Sequence, residues 1–258
     1  MGITFVDTHS HLYADEFQSE LDNVVQRATD SGVTKILLPS IDTSSFKAMN
    51  DLANAHLDIF KPMIGLHPCS VVPETYQYEL EFVKTELDKG GYIAIGEIGM
   101  DLYWDKTTQA IQEEALRIQC KWAAENDLPV ALHTRNATNE VIAVIKSLNL
   151  PKLTGVFHCF GDGLQEANTI IDMGFKIGLG GVLTFKNSGL DKVVKDIDIK
   201  YLVLETDAPY LAPAPYRGKT NESSYIPIIA QKLADIKEIA VEKVAEITTQ
   251  NAKELFRF

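Results

Sequence analysis

The sequence predicts a closed α/β barrel in which eight parallel strands are each followed by a helix. Short apolar, β-branched runs alternate along the whole chain with longer stretches that have helical spacing. Successive strand ends lie about 20–36 residues apart, which is the length of a βαβ unit. The chain has 258 residues, and a barrel of this kind typically needs about 250.

The predicted strands are nearly continuous apolar runs, such as KILLP, YIAIGE and PVALH. This composition is typical of strands that are buried on both faces, as in a parallel sheet. The eight predicted strands are Ile3–Asp7, Lys35–Pro39, Pro62–Leu66, Tyr92–Glu97, Pro129–His133, Gly155–His158, Lys176–Leu179 and Tyr201–Asp207.

Between the strands, apolar residues recur at helical spacing, clearest in Gln18–Ser31, Gln109–Asn126 and Ile226–Lys237. Ile239–Phe256 is expected to be a last helix, packed outside the barrel. No linker rich in Pro, Gly or Ser interrupts the series, so we expect residues 1–258 to form a single domain. A doubly wound open sheet is the alternative arrangement of the same elements.

Charge and cysteine content exclude several classes of protein. The net charge is −12 and the basic residues are dispersed, so no basic surface for long nucleic acid is expected. Cys69, Cys120 and Cys159 are odd in number and far apart, which argues against a disulfide framework or a cysteine-based zinc site. No apolar run approaches about 18 residues, and the first residues do not resemble a signal peptide. We therefore expect a cytoplasmic enzyme with no membrane contact and no obligate protein partner.

Polar residues that can carry chemistry stand where the predicted strands end. In a barrel, the carboxyl ends of the strands converge on one face, where active sites are built. Residues that are far apart in the chain are therefore expected to meet in one cleft. These residues are His9, His11, Glu97, His133, His158 and Asp207.

Imidazole and carboxylate groups in this number are typical of a metal centre. Histidine nitrogens suit Zn²⁺ and Mn²⁺, whereas Mg²⁺ prefers oxygen. Alternate residues of an extended segment point the same way, so His9 and His11 can bind one ion. Six ligands exceed the need of one tetrahedral ion, and two ions about 3.5–4 Å apart that share a carboxylate fit better. The sequence therefore predicts two divalent metal ions per chain, with Mg, Mn and Zn all open.

Three further residues lie close to the predicted strand ends. His67 follows the third predicted strand and faces the same mouth, where a contact with substrate or with a ligand is expected rather than a further metal bond. Asp7 is expected either to orient a ligand histidine through its second ring nitrogen or to make a simple strand-end hydrogen bond. Cys159 is expected to be buried, on the side of its strand opposite to His158.

Several motifs occur together in the order and spacing of one family. VDTHSHL, GLHP, AIGEIGMD, PVALHTR, GVFHCF, LETDAPYL and PxxYRGKTNE span almost the whole chain. In these motifs the sequence resembles the TatD-type metal-dependent deoxyribonucleases. The resemblance implies a distorted TIM barrel, (β/α)₈, of the amidohydrolase-like kind. It also assigns ligands, namely His9, His11, Glu97 and Asp207 for one ion and Glu97, His133 and His158 for the other.

The sequence departs from the family pattern at three places, none of them a proposed metal ligand. Asn136 follows Arg135 where the family commonly has Asp. Gly161 and Asp162 replace the usual Ser-Gly, and Ser223 replaces the usual Pro. These departures concern the shape of the substrate loops.

The sequence and the resemblance together predict metal-assisted phosphodiester hydrolysis, with Asp207 as general base. Candidate phosphate contacts are His67, Arg135, Arg217 and Lys219. Because the protein as a whole is acidic, an exonuclease that acts on the 3′ terminus of single-stranded DNA is favoured over a long-groove binder. Hydrolysis of another ester, such as D-aminoacyl-tRNA, is the alternative reaction, and a non-catalytic metal-binding protein is the alternative class.

Overall fold

Eight parallel strands pair in chain order in the computed structural model, which describes residues 2–258. They are β1 Phe5–Asp7, β2 Val33–Pro39, β3 Phe60–Met63, β4 Ile95–Gly99, β5 Val130–His133, β6 Gly155–Phe157, β7 Lys176–Leu179 and β8 Leu202–Leu204. Adjacent strands from β1 to β3 and from β4 to β8 form parallel ladders, with register irregularities between β1 and β2 and between β4 and β5.

Two isolated bridges close these ladders into a barrel. Ile64, just after β3, pairs in parallel with Ile95 of β4. At the opposite seam, Ser10 pairs in parallel with Ala208, beyond the ends of β1 and β8. The sheet therefore has no free edge, which confirms the predicted barrel and makes the open doubly wound alternative wrong.

Nine α-helices follow or flank the strands in residues 2–258. They are α1 Leu21–Asp30, α2 Thr43–Ala55, α3 Tyr76–Leu87, α4 Gln109–Glu125, α5 Thr138–Leu148, α6 Leu164–Asp172, α7 Leu190–Lys195, α8 Ile226–Lys237 and α9 Val241–Phe256. Local chemistry explains where α2 begins. The carboxylate of Asp42 accepts hydrogen bonds from the backbone N–H groups of Ser44 and Ser45, and the Ser45 hydroxyl accepts from the Asp42 N–H, forming a capping box for α2. None of the described helices combines the length and apolar composition needed to cross a bilayer.

The core has two layers because successive strand residues point to opposite faces. Ile36 of β2 and Leu204 of β8 belong to the layer that packs against the helices. Their chain neighbours Leu37 and Val203 belong to a smaller cluster inside the barrel. Gly96 lies on the inner face where a larger residue would not fit, because a Cβ at this position would lie 2.7 Å from that of Ala131. Small inner residues leave room for polar side chains near the carboxyl ends of the strands.

Helix α9 differs from the expectation that it packs only outside the barrel. Its residues Ala252, Leu255 and Phe256 join the inner cluster of the barrel. Near this contact, the side-chain amide of Asn251 donates to the carbonyl of Leu202, at the start of β8. The last turns of α9 thus cover the amino-terminal end of the barrel, opposite to the end that carries the polar residues.

The predicted element bounds lie within three residues of the observed ones: β3 and β4 are displaced by two to three residues along the chain, and β8 ends three residues early. β7 and α8 have the predicted limits, but the strand predicted over Tyr201–Asp207 spans only Leu202–Leu204. The chain leaves the ladder after β8, and Asp207 has a φ of 59°, in the left-handed region. Residues in this conformation cannot continue a strand, so an apolar run alone does not reveal where β8 ends.

Candidate metal centre

Glu97, in β4, is the centre of the polar cluster at the carboxyl ends of the strands. Its side chain is only 2% exposed, and imidazole nitrogens surround both of its carboxylate oxygens. Oε1 lies 2.7 Å from His158 Nε2, 2.8 Å from His133 Nδ1 and 3.4 Å from His67 Nε2. Oε2 lies 3.1 Å from His9 Nε2 and 3.5 Å from His11 Nε2. Each oxygen therefore faces its own group of histidines.

Asp207 completes the cluster on the side of Oε2. Its Oδ1 lies 3.6 Å from His11 Nε2 and 3.9 Å from His9 Nε2. The left-handed backbone of Asp207 follows from the seam of the barrel, where its N–H donates to the carbonyl of His9. Such a conformation in a non-glycine residue is common at functional sites. The structure thus brings together all six predicted ligands and also His67.

Hydrogen bonds indicate which nitrogen of each histidine is free to bind a cation. The Tyr13 hydroxyl donates to the carbonyl of Pro39, so its oxygen accepts from His11 Nδ1 at 2.7 Å and leaves the Nε2 lone pair of His11 free. On the other side, His133 Nε2 donates to the carboxylate of Asp101 at 2.9 Å. Nδ1 of His133 lies 2.8 Å from Glu97 Oε1, and with the proton kept on Nε2 by Asp101 it is the nitrogen that could bind a metal ion.

His158 and His67 differ in the same respect. Nδ1 of His158 lies 3.7 Å from the buried carboxylate of Glu205, too far for a hydrogen bond, whereas its Nε2 lies 2.7 Å from Glu97 Oε1 and faces the cluster. In contrast, Nδ1 of His67 accepts a hydrogen bond from the backbone N–H of Cys69 at 3.0 Å. The proton of a neutral His67 is therefore on Nε2, the nitrogen that faces Glu97. His67 is suited to donate a hydrogen bond rather than to bind a metal.

The charges of the cluster are balanced among its own members. Burial alone would raise the pKa of Glu97, but the imidazoles of His158, His67 and His9 hold it well below its usual range. Burial likewise lowers the pKa of His158, but the Glu97 carboxylate raises it well above the usual value. The carboxylate of Glu97 is thus ionised, with imidazoles as its neutralising partners.

The donor set fits divalent cations. Three overlapping groups of side chains have ligand atoms within 4.8 Å of one another: His9, Glu97 and His158; His9, His11 and Asp207; His67, Glu97 and His133. His158 Nε2 and His133 Nδ1 lie 3.4 Å apart, and both are within 2.8 Å of Glu97 Oε1, so the two nitrogens could bind the same cation once deprotonated. Nitrogen and carboxylate ligands without thiolate suit Zn²⁺ and Mn²⁺, and Mg²⁺ less well.

Two functional-site residues were missed by the sequence reasoning. Asp101 and Glu205 are 2% and 0% exposed and contact His133 and His158. Gly178 makes room for Glu205, because a Cβ there would collide with the carboxylate. The signal was present in the motifs GEIGMD and VLETD, each of which contains a second acid beside the predicted ligand.

Asp7 makes the strand-end hydrogen bonds and does not contact a histidine ring. Its carboxylate accepts from the hydroxyls of Thr206 and Ser223, each at 2.6 Å, and from the backbone N–H of His9. Burial raises the pKa of Asp7 to about 7, although these hydrogen bonds oppose the shift. Ser223, one of the departures from the family pattern, thus ties its loop to β1.

Cys159 and Asp162 lie in the loop after β6. Cys159 does not continue the strand, because β6 ends at Phe157 and Cys159 has a left-handed φ of 48°. Its thiol position therefore does not follow from strand alternation, and the residue is half-buried. Asp162, another departure from the family pattern, accepts a hydrogen bond from the Thr138 hydroxyl at 2.6 Å and so braces the start of α5.

The predicted basic contacts lie at different places. Arg135 is two residues beyond His133, and its guanidinium carbon is 3.9 Å from the ring centroid of Tyr103. Arg217 packs over the ring of Phe185, at 4.4 Å, and Lys219 lies 5.8 Å from the ring of Tyr216. Arg217 and Lys219 are both exposed in the loop after Asp207, against aromatic rings rather than against the histidine cluster.

An eight-stranded parallel barrel with histidines and carboxylates clustered at the carboxyl ends of its strands defines the class of TIM-barrel metal-dependent hydrolases. A family model described as TatD related DNase matches residues 6–257. The chain therefore belongs to the TatD family of metal-dependent hydrolases.

Similar proteins cover almost the full chain. It is 37% identical over 252 residues to the "Uncharacterized metal-dependent hydrolase YabD" of Bacillus subtilis, covering 97% of this chain and 98% of that protein. It is 32% identical over 257 residues to the "3'-5' ssDNA/RNA exonuclease TatD" of Pantoea ananatis, with coverage of 97% and 98%. The crystal structure of YjjV, a TatD homologue from Escherichia coli K12, superposes with a TM-score of 0.93 at 30% identity and 100% coverage of both chains.

Proposed function

We propose that this hydrolase is a 3′–5′ exonuclease that removes nucleotides from single-stranded DNA. The observation that carries the proposal is the position of Glu97, whose two oxygens face separate groups of histidines beside Asp207. Two-metal sites with a shared carboxylate are typical of enzymes that cleave phosphodiesters. The relative from Pantoea ananatis, named as a single-stranded DNA and RNA exonuclease, supports the same substrate class.

The proposed ligands form two overlapping sets, joined by Glu97. His9, His11, Glu97 and Asp207 would hold one divalent ion, and Glu97, His133 and His158 the other. When bound, two such ions polarise a phosphoryl oxygen and lower the pKa of a water molecule. The hydrogen bonds of His11 to Tyr13 and of His133 to Asp101 orient these ligands before any ion arrives.

Asp207 is the proposed general base. Its side chain is 14% exposed, whereas that of Glu97 is only 2% exposed, so Asp207 is the more accessible of the two carboxylates to water. Contacts with His11 and the neighbouring imidazoles outweigh burial and lower the pKa of Asp207, which keeps it ionised and able to accept a proton on Oδ1 or Oδ2.

Substrate phosphates would be held by local positive groups, because the protein carries a net charge of −12. His67 offers an Nε2–H group at the mouth of the cluster, and Arg135 offers a guanidinium next to it. Arg217 and Lys219 are proposed to contact phosphates farther along the strand. A few separate basic groups in an acidic protein suit a strand terminus better than a long duplex.

We further propose that residues 1–258 form one hydrolase domain, since the family match extends over residues 6–257 and α9 packs on the strands that begin and end the barrel. A cytoplasmic location is proposed as well. Cys69, Cys120 and Cys159 are free thiols in the structure, as is typical of proteins in a reducing compartment.

The test is hydrolysis of a 5′-labelled single-stranded oligonucleotide by protein loaded with Mg²⁺, Mn²⁺ or Zn²⁺. We expect a ladder that shortens from the 3′ end, and we expect a phosphorothioate cap at that end to block it. D-aminoacyl-tRNA is assayed on the same preparations. Cleavage of the ester with no cleavage of DNA under any of the three metals would replace the nuclease by a deacylase.

A further inference from the structure

Two exposed aromatic rings and an arginine stand together beside the metal centre. Tyr103 is 52% exposed and Trp104 is 70% exposed, in the loop after β4. Their ring centroids are 4.9 Å apart and the planes are nearly perpendicular, at 87°. The guanidinium carbon of Arg135 lies 3.9 Å from the Tyr103 centroid and 5.2 Å from that of Trp104. We call these three side chains the aromatic platform.

The platform is fixed to a proposed metal ligand through one carboxylate. Oδ1 of Asp101 accepts hydrogen bonds from the backbone N–H groups of Tyr103 and Trp104, at 2.9 and 3.2 Å. Oδ2 of the same residue lies 2.9 Å from Nε2 of His133. The rings are thus held at a defined position relative to the cluster rather than on a free loop.

Packing does not account for the exposure of these rings. The loop is already anchored by Leu102, which is 5% exposed and belongs to the main core, and by the hydrogen bonds of Asp101. Exposure of these large apolar faces to water does not stabilise the fold. Rigid aromatic faces of this kind are enriched where proteins bind ligands.

The chemistry of the platform selects its ligand. A flat aromatic face stacks on a nucleobase, and the guanidinium beside it can pair with a phosphate through its N–H groups. In a duplex the bases are stacked on each other and their faces are hidden, whereas an unpaired base is free to stack on protein. Because the two rings are nearly perpendicular and Arg135 covers a face of Tyr103, the platform fits one nucleotide of a single strand, with its base stacked on the more exposed ring of Trp104 and its phosphate on Arg135.

A further exposed aromatic residue lies on another side of the cluster. Tyr210 is 54% exposed, and its ring centroid is 6.3 Å from that of His11. His11 and His133 face different oxygens of Glu97, so Tyr210 and the platform approach the central carboxylate from different directions. A strand that crosses the cluster can meet an aromatic ring on each side.

We propose that Tyr103, Trp104 and Arg135 form a stacking site for an unpaired nucleobase next to the scissile phosphate, which makes single-stranded nucleic acid the substrate class. The inference rests on the proposed nuclease function and adds the element that selects single strands. Base stacking on aromatic side chains strengthens binding by roughly tenfold or more per base, so its loss is measurable.

The experiment uses the full chain, loaded with Mn²⁺, in a Trp122→Phe background, so that Trp104 is the only source of tryptophan fluorescence. The probes are a phosphorothioate oligothymidylate, which resists hydrolysis, and an abasic strand of equal length and charge. We expect the base-bearing strand to quench Trp104 fluorescence and to bind about tenfold more tightly than the abasic strand. Replacing both Tyr103 and Trp104 by Ala, with binding followed by anisotropy of labelled strands, should remove this preference and leave abasic binding unchanged.

Trp104→Phe keeps an aromatic ring at this position, so it should retain the preference for the base-bearing strand but lack the fluorescence signal. Tyr78→Ala serves as the matched control, because Tyr78 is 63% exposed on the outer helix α3. Three results would overturn the proposed stacking site. They are equal binding of the two strands by the Trp122→Phe protein, an equal loss of binding for both strands in the double variant, and no binding of either strand. Cleavage of DNA together with equal binding defeats the platform alone. Preferred binding of the base-bearing strand without cleavage supports the platform and defeats the exonuclease proposal.

Discussion

Asp101 Oδ2 lies 2.9 Å from His133 Nε2, while His133 Nδ1 lies 2.8 Å from Glu97. One imidazole thus connects two carboxylates through its two nitrogens. A metal ion that replaced the Glu97 contact would take the Nδ1 lone pair, and the Asp101 carboxylate, which can only accept a hydrogen bond, would keep the remaining proton of His133 on Nε2. Contacts of this kind fix the tautomer of a ligand histidine and strengthen its bond to a metal.

Asp101→Asn is therefore expected to weaken binding of one divalent ion by about 10–100-fold. The asparagine oxygen would keep the hydrogen bonds from the Tyr103 and Trp104 N–H groups, and its amide NH₂ would then face His133 Nε2. That nitrogen would have to accept, which moves the proton to Nδ1. Metal titration monitored by competition with a chelator measures the effect. Asp105→Asn, in the same loop, is the matched control, and equal affinities of all three proteins would contradict the positioning role.

Glu97→Ala is expected to weaken both ions, because Glu97 is proposed to contribute to both ligand sets. His133→Ala or His158→Ala should instead remove one ion preferentially, since each belongs to a single proposed set. Metal analysis of the purified variants after dialysis, by plasma mass spectrometry, gives the stoichiometry. Wild-type occupancy in Glu97→Ala would eliminate the bridging role.

The strand pattern and the spacing of the polar residues were sufficient to predict the barrel and to gather the cluster. Buried parallel strands have an almost continuous apolar sequence, and their carboxyl ends must meet on one face. His9 and Asp207 could therefore be predicted to lie close together although they are far apart in the chain. The structure places His9 Nε2 3.9 Å from Asp207 Oδ1.

The orientation of individual side chains beyond the strands was not predictable in the same way. Cys159 and Asp207 have left-handed backbones, which no periodicity records. Asp7 was left with two possible roles, and the structure shows the strand-end hydrogen bonds. The carboxylate that contacts a histidine of the cluster is that of Asp101, which was not predicted, because which acid reaches an imidazole depends on ångström-scale placement.

An ion pair away from the metal centre predicts how stability depends on pH. Arg27 of α1 donates to both carboxylate oxygens of Glu222, at 2.9 Å from Nε and 2.6 Å from Nη2. Burial would raise the pKa of Glu222, but the hydrogen bonds from Arg27 and Ser224 outweigh it and lower the pKa. A carboxyl whose folded pKa is lowered stabilises the fold above its unfolded pKa, about 4.3, and loses this contribution as the pH falls through the folded pKa.

Glu222→Gln should therefore lower the free energy of unfolding near neutral pH, by about 1 kcal/mol after allowance for the half-exposed arginine. The difference from wild type should shrink once the pH is below the folded pKa. Urea unfolding at several pH values, at equal metal content, measures both. Asp51→Asn breaks the exposed pair with Lys47 and should have almost no effect at any pH. A pH-independent difference for Glu222→Gln would show that charge does not contribute.

Arg217→Ala or Lys219→Ala is expected to raise KM for DNA and to flatten its dependence on salt, with metal content and kcat retained. Binding releases one counterion fewer for each phosphate contact that is lost. For single strands this reduces the slope of log affinity against log salt by about 0.7. Steady-state kinetics at a series of salt concentrations measure the slope. An unchanged slope would identify both residues as ordinary exposed charges that pack on Phe185 and Tyr216.

Asp207→Asn provides the most direct test of the proposed function. Asparagine has nearly the same shape and keeps one oxygen toward the cluster, so the fold and much of the bound metal should be retained. It cannot accept a proton from the attacking water. Since general base catalysis typically contributes about 10²–10⁴-fold, hydrolysis of single-stranded DNA from its 3′ end should fall by a factor in this range.

Loss of a metal ion could lower the rate in the same way, so metal content must be measured on the sample that is assayed. Asp162→Asn is a matched control, because this carboxylate also accepts a hydrogen bond near the carboxyl ends of the strands but contacts Thr138 rather than a histidine. A slow variant with full metal content locates the loss in proton transfer, since the ligands and the barrel are intact. If fully loaded Asp207→Asn degrades DNA as fast as wild type, another group accepts the proton and Asp207 is at most a ligand.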